Sequence, residues 1–178
     1  MANSSLISDI KEKLIEEMIN DDAVFYAINS PEVTDFSSAC DLINTHIFRY
    51  NQNPISLKKT ISFITIQVHL PRAYDNNLFV KAQLEIWIYS HESCMKVSNI
   101  PGITADRNDY LSQLLDEKFN GRDYLGLPED NQKLKFYGTL DLISNVEGAF
   151  APNYLYRRMI FETKDVNDSL CNGGKYAS

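Results

Sequence analysis

The stretch HESC, residues 91–94, sets His91 and Cys94 three positions apart, a spacing that could open a zinc site. A structural zinc needs about four protein ligands, so a second pair must come from elsewhere. His46, His69, Cys40 and Cys171 supply none at a compatible spacing, and a strand end running into a loop accounts for HESC as well. The expectation is no metal site. The acidic pairs Asp116–Glu117 and Glu129–Asp130 could in principle share acid–base work, but the first falls on the polar face of an expected helix and the second follows Pro128 in an expected loop. There is no phosphate-cradling glycine loop and no nucleophile elbow. The sequence therefore predicts no catalytic residue and no cofactor. Arg157 and Arg158, adjacent on an expected strand, point to opposite faces, and one of them could form an ion pair inside the sheet or across a subunit boundary.

The elements that would position these groups are legible from periodicity. Residues 4–20 repeat Leu6, Ile7, Ile10, Leu14, Ile15 and Met18 at helical spacing. Asn20, Asp21 and Asp22 break that helix, AVFYAIN offers a short second turn, and Pro31 ends it. DFSSACDLINTHIFRYN reads as a short helix running into an extended segment, and NQNPISLKK as a loop. Residues 60–70 form a strand with Ile64, Ile66, Val68 and Leu70 on one face. In LFVKAQLEIWIYSHESC, residues 78–94, Leu78, Val80, Ala82, Leu84, Ile86 and Ile88 alternate with Phe79, Lys81, Gln83, Glu85, Trp87 and Tyr89. Strict period-two alternation predicts a long strand with its first parity buried. The two strands should pair antiparallel across residues 71–77. A helix follows over about 106–120, capped by Thr104 or Asp106 and closed by Gly121. Strands over 134–147 and 153–167, bridged by GAFAP, complete the order. The fold class is α+β: an antiparallel sheet of about four main strands, with the N-terminal helix and the central helix packed on one face. Residues 1–170 form a single domain, and residues 171–178 a loose tail.

Composition bounds the possibilities. The 178 residues suffice for one domain with a real core. The net charge of -7 argues against a surface built to hold nucleic acid, though not against one that lets it pass. No apolar run approaches the roughly 20 residues that span a bilayer. The opening MANSSLISDIKEK has no basic region followed by an apolar stretch, so no secretory leader is expected. The odd count of three cysteines reads as free thiols.

Four segments then carry a specific likeness: FVKAQLEIWIYSHESCMKV, GITADRNDYLSQLLDEKFNG, LGLPEDNQKLKFYGTLDLISNVEG and NYLYRRMIFETKDVN. Tyr89 to His91, Arg107 to Tyr110, Phe119 to Gly121, Ser144 with Asn145, and Tyr156 to Asn167 fall in the order of elements found in the tail-completion proteins of long-tailed bacteriophages, also called tail terminators or neck proteins. The chain resembles that family over roughly residues 60–167. The resemblance implies a structural virion protein of the neck, assembled in the host cytoplasm. It would form a ring, typically hexameric, that stops tail-tube growth and meets the head connector or head-closure protein. DNA would pass through its lumen without specific binding, and no membrane would be involved. On this reading Lys81, Glu85, Trp87 and Tyr89, with Arg157 and Arg158, face a neighbouring subunit or the tube, where aromatics are at home and charges can pair. A small cytoplasmic enzyme with a site built from loops, and a head-closure or other adaptor protein, remain the alternatives.

Overall fold

The computed structural model describes residues 3–57, 61–70, 79–129, 133–150 and 152–166. The 71–77 connection and the 171–178 tail, singled out above, lie outside the described residues. Helix α1, Asn3–Ile19, buries Ile10, Leu14, Ile15 and Met18 along one stripe. It stops before Asp21, whose carboxylate accepts from the Val24 N–H at 3.1 Å and caps α2, Asp22–Ile28. Asn29, in the left-handed region at φ 53°, ends α2 two residues ahead of the Pro31 that the sequence suggested. A 3-10 helix, Phe36–Leu42, leads to the two-residue strand β1, Ile47–Phe48. The stretch expected to be a loop contains a one-turn helix α3, Pro54–Leu57.

Strands β2, Ser62–His69, and β3, Phe79–His91, pair antiparallel with Ile64 opposite Ile88 and Ile66 opposite Ile86. Helix α4, Arg107–Phe119, has Asp106 at its N-cap position and closes at Gly121, which takes φ 79° and donates its N–H to Leu140 O at 2.8 Å. Then come β4, Arg122–Leu125, β5, Leu134–Phe150, and β6, Tyr154–Val166. Among the described residues the sheet has six strands in the order β1-β2-β3-β6-β5-β4, parallel only between β1 and β2. The mixed α+β architecture is as expected, but the count of about four strands is corrected by β1 and β4. Two and four residues are too short to show a period.

The main core lies between the sheet and helices α1, α2 and α4, where Leu14, Leu84, Ile86, Ile88, Leu111, Leu115, Met159 and Phe161 are all buried. The register expected for β3 therefore holds at Ala82, Leu84, Ile86 and Ile88. Leu114, on the same helix as Leu111, packs on this core only partly. β5 does not end at Glu147, where the expected strand stopped. It continues through Gly148, Ala149 and Phe150, so most of GAFAP is strand, and Phe150 pairs directly with Tyr154. A bulge at Ile143, between Leu142 and Ser144, exchanges the parity of β5 and leaves Ile143 exposed.

Candidate functional site

The far side of the sheet has two zones. At one end Phe48, Ile61, Phe63, Tyr89 and Tyr154 form a second, smaller core, with Leu57 of α3 and Phe150 against it. Phe63 and Tyr89 stack at 4.9 Å between ring centroids, and Trp87 stacks on Tyr89 at 5.8 Å. Tyr89, expected at a subunit interface, is only 3% exposed. Its own chain covers it, so its ring cannot be the contact surface. Burial, with the nearby Tyr156 and Glu85, pushes its hydroxyl up to about 12. Gly148 lies under the Tyr156 ring, and a Cβ there would come within 2.5 Å of the Tyr156 hydroxyl oxygen.

Beyond the aromatics the face opens, and charge takes over. Pairing of Trp87 with Arg158 and of Gln83 with Glu162 sets β3 and β6 side chains shoulder to shoulder. Glu85 is the hub. One carboxylate oxygen accepts from Trp87 Nε1 at 2.8 Å and from Arg158 Nε, and the other faces His69 Nε2 at 3.0 Å. The Arg158 guanidinium also lies over the Trp87 ring, 5.2 Å from its centroid. Burial alone would raise the Glu85 pKa. The hydrogen bond and charge of Arg158, with the bonds from His69 and Trp87, outweigh it and hold the carboxyl below its ordinary value. One step along the strands, Glu162 accepts from Gln83 Nε2 at 3.0 Å and pairs with Lys81, and these bonds hold its pKa down too. Val146, paired with Arg158 in β5 and 46% exposed, extends this face.

Lys81, Glu85, Trp87 and Arg158 thus meet on one face, as the alternation implied. Arg157 does not join them. It projects to the helix side, where its Nε donates to Asp109 Oδ1 at 2.8 Å and its guanidinium reaches Asn145 at 3.2 Å and Glu147 at 3.4 Å. The His91 imidazole of HESC is engaged locally: its Nδ1 accepts from the Ser93 N–H at 3.2 Å and caps the 3-10 turn Glu92–Cys94.

A family model, YomW, matches residues 12–163, from within α1 to near the end of β6. The chain belongs to the YomW family. That family is phage-derived, so the likeness to phage proteins holds at this coarser level. No curated protein matches the chain.

Sequence reasoning missed two buried polar brackets of this YomW-family domain, each centred on a charged side chain. Arg107, 2% exposed, donates to the main-chain oxygens of Cys94 at 2.6 Å, Lys96 at 3.2 Å and Ala27, tying α2 and the 94–99 loop to the start of α4. Glu17 of α1 pairs with Arg122 of β4 and accepts from the Gly126 N–H at 2.6 Å. Each reaches a partner far along the chain, Ala27 for Arg107 and Glu17 for Arg122. The arginine that opens RNDYLSQLL was the one available signal, since buried Arg must be paired.

Proposed function

We propose that the chain is a non-catalytic structural protein of the bacteriophage virion, a neck ring that terminates the tail tube and joins it to the head connector. The observation that carries this reading is the open sheet face. The other side of the sheet packs against helices α1, α2 and α4 over most of its area. This side ends in a half-buried Trp87 set among Glu85, Arg158, Lys81 and Glu162. An aromatic flanked by preorganised ion pairs is a composition suited to the centre of a protein interface. Membership of a phage-derived family supports a virion role. In the ring, copies related by rotation would place this face against a different patch of the neighbour, a heterologous contact that closes on itself. DNA would pass through the lumen, and the tail-tube and head-connector proteins would bind the two rims.

Native mass measurement with electron microscopy tests the proposal. The purified chain should assemble into rings. Trp87→Glu should keep its far-ultraviolet circular dichroism, because the helix-side core is untouched, yet remain monomeric, because an unpaired buried charge costs several kcal/mol at every repeated boundary. A wild-type monomer at tens of micromolar, or rings from the variant, would remove the proposal's support.

A further inference from the structure

Among the described residues, no strand pairs with the outer edge of the second half of β5. β4 pairs with β5 only between Leu134 and Leu140. Next, the Leu142 N–H points away from β6 to Asn120 Oδ1 at 2.9 Å. Past the bulge at Ile143, the alternation of an antiparallel ladder turns the N–H and C=O groups of Asn145, Glu147 and Ala149 outward. No lysine or proline blunts the edge between Ser144 and Phe150.

Beside this edge, on the helix side, is a cleft of about 390 Å³ between the β5–β6 hairpin and the start of α4. It is lined by acceptors. Asp106 makes no capping bond to its own helix, and the Glu147 side chain is 79% exposed. Asn108, itself 3% exposed, donates its amide to Leu155 O at 3.1 Å, while its side-chain oxygen has no partner among the described residues. The cation in the lining, Arg157, is already spent on Asp109, Asn145 and Glu147. Across the edge, the opposite face offers Val146 and Phe150.

We infer that the Asn145–Ala149 edge binds an extended segment of a partner protein that alternates basic and apolar residues, adding a strand to the sheet. Its main chain would pair with Asn145, Glu147 and Ala149. Its basic side chains would enter the acidic cleft, and its apolar ones would lie along Val146 and Phe150. Charge disfavours a second copy as the occupant, because two β5 edges would bring both copies' Glu147 together. The inference does not depend on the ring reading, since the edge and cleft belong to one chain.

The test titrates the full chain with the blocked peptide Thr-Lys-Val-Lys-Val-Lys-Thr and with its counterpart carrying Glu for Lys. The lysine peptide should bind and the glutamate peptide should not. Glu147→Lys should weaken binding about tenfold. Ala149→Pro should abolish it, because it removes an outward N–H while leaving the β6 ladder whole. Three results would overturn the inference: no binding of the lysine peptide, equal binding of both peptides, or unchanged binding by Ala149→Pro. So would a wild-type oligomer that Ala149→Pro dissociates, which would give the edge to a second copy.

Discussion

Glu85 concentrates the logic of the open face in one carboxylate. It is mostly buried, and a buried charge is tolerated only when paired and hydrogen-bonded. Arg158, Trp87 and His69 supply those bonds from two neighbouring strands and from Glu85's own. Because these partners favour the ionised form, the folded-state pKa lies below the unfolded value of about 4.3. A depressed carboxyl contributes stability above the unfolded pKa and loses it as pH falls through the folded pKa. Glu162, also depressed, acts in the same direction. Thermal melts of wild type and Glu85→Gln should therefore differ most at neutral pH, and the gap should narrow as pH drops from about 4.5 towards 3. A gap that stays constant over that range would mean the network does not hold Glu85 ionised.

At the scale of elements, burial depth rather than residue type sets the cost of a change. Leu84 and Leu111 are sealed between the sheet and α4, so each change to alanine should cost about 2–5 kcal/mol. Leu114, one helical turn from Leu111 but only partly covered, should cost about 1 kcal/mol. Urea titrations of the three variants measure the order, and an equal loss at Leu114 would contradict its position. The same elements show what a sequence can disclose. β3 was legible because thirteen residues alternate against one continuous helix layer, and α1 and α4 because their stripes are long. β1, β4 and α3 were not, since their two to four residues hold less than one reliable period. The far end of β5, Gly148 to Phe150, was misread as a bridge because Gly148 looks like a turn residue. They remain in the strand because β6 supplies the ladder, and Gly148 makes room for the Tyr156 ring. Lys81, Glu85 and Trp87 were placed together by parity alone. The partners of Glu85 depended on strand register, and Asp109 as partner of Arg157 on where α4 packs, neither of which a single sequence prints. Tyr89 shared the expected parity but fell under Phe63 and Phe150, which only the packing shows.

Over the whole molecule, the distribution of charge bears on what a ring of such chains could enclose. There are 17 Lys and Arg against 24 Asp and Glu, a net charge of -7. Several cations are also engaged where the fold needs them: Arg107 on main-chain oxygens, Arg122 on Glu17, Lys118 on Asp21, Arg157 on Asp109, and Arg158 on Glu85. Affinity for duplex DNA grows with the number of phosphates that free cations can neutralise, and here the surplus has the opposite sign. Assembly multiplies that surplus, so a ring would repel the backbone all round its lumen and let the duplex slide. The chain, assembled or not, should leave a DNA duplex unretarded in a gel-shift measurement at about 50 mM salt, a condition that exaggerates electrostatic binding. Replacing three or four of the exposed acids Glu92, Asp123, Asp141 and Glu147 with lysine should create a weak shift that disappears by about 200 mM salt. Retardation of DNA by the unmodified chain would show cations gathered into a patch, and a lumen built from such a surface would grip its cargo.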